Sequence, residues 1–313
     1  MRPFRFSADV SEIVDGHLLA EKARRAESIG YDTLMLGDHL LEQLAPIPAL
    51  ATIAAATERI RIGTFVFNND LRHPAVLAQD LATLDVLSGG RLEIGIGAGW
   101  NAPEYAAIGL SFDEPAIRVA RCAEAIEVLK GCFADGPFAF AGTHYTIAEY
   151  DGRPKPVQRP HPPFLIGGGG RRILGLAARE ADTVGIAPKA TRAGAPEVVD
   201  CLAPAVAEKI GWVREAAGDR FERLDLNVYP AVGRPIVTDD ADREVRALAE
   251  RIAGRYGQEV SPSDLMESPF VFIGSVDGLV EKLQVIRQRF GINSVTVFDM
   301  DEFVPVVERL AGT

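Results

Sequence analysis

IRIGTFVFNNDLRHPAVLAQDLATLDVLSGGRLEIGIGAGW, residues Ile60–Trp100, holds the pattern on which the fold turns. It opens with a β-rich apolar run, Ile60–Phe67, that meets the polar turn Asn68-Asn69-Asp70. A helix follows with Leu77, Leu81 and Leu84 on one face, stops at Gly89-Gly90, and delivers a second apolar run, Arg91–Gly97. Strand, helix and strand in succession form the repeating unit of a parallel sheet.

The same alternation extends in both directions. Six more strands are expected at Phe4–Ala8, Asp32–Leu36, Pro163–Gly167, Thr183–Ala187, Leu224–Val232 and Ser294–Phe298. Several are continuous apolar runs, as strands covered on both faces should be. The helices between them are legible in places. Leu19, Ala23, Ala26 and Ile29 share a face ahead of Gly30; Ser275 caps a helix carrying Leu279, Leu283, Ile286 and Phe290 ahead of Gly291. Eight such units imply a single-domain (β/α)8 barrel over residues 1–313, with its site at the carboxyl ends of the strands. Two stretches depart from the repeat. Phe138–Ile147 reads as a β-hairpin around Ala141-Gly142, followed by an extended Pro-rich run, Arg153–Pro163. Residues of about 188–223 and 239–268 exceed what barrel connections need, and are expected as insertions covering the carboxyl-terminal face as a lid.

Composition narrows the function. The chain has 313 residues, 47% hydrophobic and 25% charged, enough for a large core. Its net charge of -11 repels nucleic-acid backbones and anionic lipid, so neither is expected as a partner. No apolar run is long enough for a membrane span, and the amino terminus lacks a signal-peptide core; a cytoplasmic location is expected. Cys122, Cys132 and Cys201 are odd in number and without a neighbouring His, so no disulfide framework and no metal site is expected.

Three segments carry candidate chemistry. Gly30–Leu40 (GYDTLMLGDHL) is a buried strand ending in Asp38-His39, and imidazole is suited to proton traffic near neutrality. The bland alternative is a His bonded to a neighbouring loop. At the end of the fourth strand, Gly97, Ala98 and Gly99 allow either close approach of a flat ligand or tight packing at the rim. Their spacing is not a dinucleotide fingerprint. The third, His161–Ile186, ends a strand in Gly167 to Gly170, followed by Arg171-Arg172 and a helix carrying Leu174, Ala177, Ala178 and Ala181. Free N–H groups and the positive dipole end there make an anion site, to which Arg171 adds a charge-assisted bond.

In this order, and with SGGRLEIGIGAGW, RPHPPFLIGGGG and the closing IGSVDGLVEKL, the chain resembles the luciferase-like monooxygenase superfamily over nearly its whole length. The likeness is nearest to the branch that uses the deazaflavin coenzyme F420. The resemblance implies a phosphate at Gly168, Gly169, Gly170 and Arg171, and a non-prolyl cis peptide at Phe65–Val66 against which the ring lies. It also implies that Asn68 reaches the ring's polar edge, and that Asp38 and His39 meet the reacting face. Deazaflavin-dependent sugar-phosphate dehydrogenases carry an acid directly after the fourth-strand glycines; Trp100 stands there instead, and the nearest carboxylate is Glu104. Trp100 is expected as a wall of the substrate pocket or as rim packing, and Glu104 as a helix-start carboxylate or a proton donor. Tyr145 and His144, on the hairpin, are expected either to touch substrate or to pack the hairpin.

The reading is therefore an F420-dependent oxidoreductase that transfers hydride between the deazaflavin and an organic small molecule, with His39 as proton donor or acceptor. Two alternatives stay open: an FMN-dependent monooxygenase fed with reduced flavin by a partner reductase, and a flavin-binding barrel without turnover. Kinship further implies a homodimer.

Overall fold

The computed structural model describes residues 2–191 and 195–313. Among the described residues, thirteen strands are interspersed with helices. The strands are β1 (Arg5–Asp9), β2 (Thr33–Leu36), β3 (Arg61–Thr64), β4 (Phe67–Asn68), β5 (Leu92–Gly97), β6 (Phe138–Ala141), β7 (Thr146–Tyr150), β8 (Phe164–Gly168), β9 (Thr183–Ile186), β10 (Asp225–Val228), β11 (Ile236–Val237), β12 (Ile273–Gly274) and β13 (Ser294–Val297). The helices are α1 (Gly16–Ile29), α2 (Pro46–Ala56), α3 (Pro74–Leu87), α4 (Ala102–Ala107), α5 (Pro115–Phe133), α6 (Arg171–Glu180), α7 (Ala203–Ala217), α8 (Ala241–Tyr256), α9 (Pro262–Glu267), α10 (Val276–Phe290) and α11 (Val304–Leu310).

The main sheet runs β3-β2-β1-β13-β10-β9-β8-β5-β4, and β3 also pairs with β5, so the ladder returns to its start. Because β3 and β4 are two pieces of one strand, this is the expected eight-stranded parallel barrel. The break between the pieces is a register change. Ile62 and Gly63 pair with Leu92 and Glu93, whereas Phe67 and Asn68 pair with Ile96 and Gly97. The β3–β4 side spends one residue more than β5, a bulge of the kind found beside functional sites. The Phe65–Val66 bond within it is cis, as the family resemblance implies.

Contacts divide the chain into two compact units. Unit one comprises residues 1–9, 28–32 and 168–313; unit two comprises 10–27 and 33–167. In unit one, β9, β10 and β13 are buried along their lengths. Helix α10 forms as its sequence predicts: Ser275 Oγ accepts from Gly278 N at 3.2 Å, Gly291 ends the helix at φ +75°, and Leu279, Leu283, Ile286 and Phe290 are buried.

The segment 188–223 corrects the expectation of a lid. It carries α7, which packs on α6 through a face including the buried Val206, Ile210 and Val213 and is the ordinary helix following β9. Its residues 192–194 lie outside the described residues. The second expected stretch, about 239–268, is an insertion: it carries α8 and α9, which with the parallel pair β11–β12 lie between β10 and α10.

In unit two the hairpin is present as β6 and β7, but its turn is Gly142–Tyr145, closed by a bond from Gly142 N to Tyr145 O at 2.9 Å, rather than Ala141-Gly142. Glu124 of α5 draws that turn in, accepting from the N–H groups of Thr143, His144 and Tyr145. The Pro-rich run that follows holds two cis prolines, Pro154 and Pro160. No described helix is long and apolar enough to cross a membrane.

Candidate functional site

The strand ends of unit two gather charged side chains that a barrel rim could leave in water, and bury most of them. Asp38, just beyond β2, is only 3% exposed. Arg72 grips it with both terminal nitrogens, at 2.6 and 3.0 Å, and Asn68 N–H donates to its Oδ2 at 3.0 Å. Both carboxylate oxygens are thus engaged within the protein, and the Arg72 guanidinium lies over the Phe67 ring at 5.4 Å. A bidentate pair this buried leaves an uncompensated charge when either partner is removed, at a cost of about 3–5 kcal/mol. Asp38 therefore ties β2 to β4 and to the start of α3.

His39 is placed differently. Its Nδ1 lies 2.9 Å from Glu104 Oε2, and its ring meets the Trp100 ring edge-on at 5.3 Å. Glu104 stands in the first turn of α4, is 7% exposed, and accepts the Leu40 N–H on its other oxygen at 2.7 Å. The His39 side chain keeps 24% of its surface open. Among the described residues, no partner takes its Nε2.

A third group surrounds the glycines after β5. Tyr105 OH donates toward Asn68 Oδ1 and Asp70 Oδ2, each at 2.9 Å. Burial first, and then the Asp70 carboxylate, push this phenol up, so it remains a protonated donor. Arg121 bonds Asp70 at 2.7 and 3.0 Å and Asp113 at 2.9 Å; the Asp70 hydrogen bond foremost raises its guanidinium above its ordinary value. Arg118 donates to the carbonyls of Ala98 and Gly99 and lies over the Phe112 ring at 4.0 Å; burial lowers its guanidinium below its ordinary value. Tyr145 joins through Asn69, whose amide donates to its hydroxyl at 3.3 Å, and its ring stands edge-on to His73 at 5.5 Å.

The glycines here are required by the protein's own packing. A Cβ on Gly95 would lie 1.7 Å from Thr64 O, one on Gly97 2.8 Å from Val66 Cγ2, and one on Gly99 1.9 Å from Tyr105 Oη. Gly99 also sits at φ +73°. These contacts meet the rim-packing reading of the glycines.

In unit one, β8 ends at Gly168 and Gly170 is the N-cap residue of α6, with no side chain capping the helix. Gly168 is closed by Ile173, and Gly169 by the backbone of Ala187–Lys189, but nothing stands within 4 Å of a Cβ on Gly170. The backing strap is held from below. Lys209, 1% exposed, donates to Ala187 O at 2.6 Å and pairs with Asp200, whose Oδ2 also accepts the Lys189 N–H at 2.6 Å. Burial pulls the Lys209 ammonium below its ordinary value, against the pull of Asp200. Arg171 pairs with Glu215 at 2.8 Å; both are mostly exposed. Such a pair contributes about 0.2–1 kcal/mol and competes weakly with a phosphate.

The structure thus brings Asp38, His39, Asn68, Ala98, Gly99, Trp100, Glu104 and, through Asn69, Tyr145 into one network of unit two, with the Phe65–Val66 bulge between β3 and β4 at its edge. Gly168, Gly169, Gly170 and Arg171 form the separate turn of unit one. His144 serves the hairpin turn with its N–H donated to Glu124. Sequence reasoning missed Asp70, Arg72, Tyr105, Arg118 and Arg121. The available signal was the density of charge in NNDLRHP, where a strand hands over to a helix.

A family model described as luciferase-like monooxygenase matches residues 1–268. The chain is 31% identical over 202 residues to the FMNH2-dependent dimethylsulfone monooxygenase of Pseudomonas putida, a match covering 64% of this chain and 51% of that protein. It is 31% identical over 264 residues to the F420-dependent glucose-6-phosphate dehydrogenase of Nakamurella multipartita, covering 79% and 71%. The chain therefore spans about half the length of the first relative. Among solved structures, the coenzyme F420-dependent tetrahydromethanopterin reductase of Methanopyrus kandleri superposes with a TM-score of 0.77 at 19% identity, covering 99% and 98% of the chains. That likeness shows the fold.

Proposed function

Because the chain belongs to the luciferase-like monooxygenase family of flavin- and deazaflavin-dependent oxidoreductases, we propose that it is a coenzyme F420-dependent oxidoreductase acting on an uncharged organic small molecule. The observation that carries this reading is His39. The cluster's carboxylates are spent on arginines, backbone amides and a phenol, while His39 keeps an open ring with an unpartnered Nε2. One group positioned to take or give a proton is what a two-electron alcohol–carbonyl interconversion asks of its protein.

The residues present fit the cofactor. In unit one, the uncapped first turn of α6 at Gly168, Gly169, Gly170 and Arg171 suits a phosphate. In unit two, Phe65, Val66, Asn68, Gly97, Ala98 and Gly99 would border the ring, with Arg118 and Tyr105 holding that border rigid. When bound, the deazaflavin supplies the hydride acceptor or donor. The protein's share is then orientation, and proton transfer between the substrate oxygen and His39.

Two observations turn the proposal away from a sugar-phosphate substrate. Trp100, 47% exposed, stands where the resemblance implies an acid, and the arginines of the cluster are each committed to carboxylates or carbonyls. No cation of this cluster is left for a substrate phosphate. The longer coverage by an F420-dependent relative favours deazaflavin over FMN; the FMN-dependent relative keeps the two-component monooxygenase, fed by a reductase, as the second reading.

The test is fluorescence titration of the apo-protein with F420 and with FMN, followed by anaerobic reduction of bound F420 by a panel of primary and secondary alcohols. Tight F420 and weak FMN binding with reduction by an alcohol is the expected result. His39→Ala should keep the binding and lose about 10²–10⁴-fold in turnover. The reverse cofactor preference makes the protein a two-component monooxygenase; F420 bound with no redox change across the panel counts against an oxidoreductase of this class.

A further inference from the structure

We propose that Glu104 is the positioning residue of His39, fixing the ring proton on Nδ1 so that Nε2 alone gains and loses protons. The function of that control rests on His39 being the proton carrier argued above, but the tautomer can be read without turnover.

Glu104 has two oxygens and two donors to serve. Oε1 accepts the Leu40 N–H at 2.7 Å, a donor that cannot reverse its role. Oε2, 2.9 Å from His39 Nδ1, then stands as an acceptor in a carboxylate that is acceptor-only when ionised. An imidazole whose Nδ1 faces such an oxygen carries its proton there, in the neutral as in the charged ring. On one side Trp100 meets the ring edge-on at 5.3 Å. The Leu40 bond also binds the loop after β2 to α4, so the residue that orients the imidazole shares one carboxylate with the backbone of its neighbour. Glu104 thus serves the Nδ1 side of the ring, and a proton passed at Nε2 leaves the Nδ1–Glu104 bond intact.

The experiment is ¹⁵N NMR of the full chain with labelled histidine, five in all, assigning His39 by comparison with His39→Gln. The expected result is a neutral His39 protonated on Nδ1. In Glu104→Gln the amide must offer its oxygen to Leu40 N–H and its NH2 to Nδ1, so the tautomer moves to Nε2–H. With an alcohol that reduces F420, kcat falls by up to about 10⁴, the loss seen when the orienting Asp of a serine-protease triad becomes Asn, and KM stays near its original value. A wild-type His39 protonated on Nε2, or a tautomer unmoved by Glu104→Gln, overturns the proposal; the first does not depend on Glu104→Gln folding, only on the His39→Gln spectrum used for assignment. If the tautomer moves and turnover stays intact in both Glu104→Gln and His39→Ala, the positioning stands and His39 is not the proton carrier.

Discussion

Two strand ends of this chain are rich in glycine, and they are so for opposite reasons. Along and just beyond β5 in unit two, Gly95, Gly97 and Gly99 leave room that the protein fills itself, with Thr64 O, Val66 Cγ2 and Tyr105 Oη. After β8 in unit one, Gly168 and Gly169 are closed by neighbours, but Gly170 faces open space above an uncapped helix start. The first run lets β3–β4 and β5 approach closely enough for a bulge and for the network behind His39. The second leaves the first turn of α6 without a side-chain cap among the described residues. A glycine run at a strand end can therefore serve the protein's own packing as well as an open helix start.

The contrast breaks most sharply at Gly95. A Cβ 1.7 Å from a backbone oxygen has no flexible neighbour to displace, so Gly95→Ala must shift the strand itself. We expect a loss of about 3 kcal/mol or more, at the upper end of overpacking costs. A urea midpoint that falls at unchanged slope would show it. A variant as stable as the parent would mean that β3 and β5 can part there, and the packing account of this run would fail.

Much of the fold was legible because periodicity survives burial. Leu19, Ala23 and Ala26 are buried on α1 as their spacing predicts, and Gly291 ends α10 in the left-handed conformation. The mistakes came where tertiary context overrides local pattern. The residues of Ile60–Phe67 by themselves do not announce a register change, because a bulge is defined by the partner strand; only the family resemblance pointed to Phe65–Val66. Length alone suggested a lid over 188–223, but a chain returning along α6 needs that length for a helix of its own. The candidate site was legible as residue types at strand ends, Asp38, His39 and Asn68 among them. Their roles were not: that Glu104 reaches His39 and Arg72 reaches Asp38 depends on contacts 65 and 34 residues apart in sequence.

Gly170→Ala tests the other half of the contrast. The residue sits at φ -100°, ψ 156°, ordinary for any side chain, with nothing within 4 Å of the added methyl. Stability should stay within about 0.5 kcal/mol of the parent. Affinity for F420 should fall about tenfold, near 1.5 kcal/mol, the value of one charge-assisted hydrogen bond lost where the methyl stands. Unchanged affinity in the titration would leave the turn an ordinary connection and move the cofactor's anion elsewhere.

The smallest effect calibrates what backbone donors gain from an anion. Glu124 accepts three consecutive N–H groups, those of Thr143, His144 and Tyr145, at 2.8, 2.8 and 3.1 Å, an internal counterpart of the phosphate proposed for α6. Burial pushes this carboxyl up, but the three backbone donors outweigh it and hold the group below its ordinary value of 4.5. A carboxyl lowered in the folded state binds protons more readily when unfolded, so its contribution is whole above about pH 4.5 and is lost as pH falls through the lower folded value. Glu124→Gln removes the charge at every pH. The thermal midpoints of parent and variant should therefore differ by a few degrees at most at neutral pH and converge below pH 4.5. A difference that persists into acid would mean that the carboxylate acts through shape rather than charge, and that consecutive amides in this chain hold no special preference for an anion.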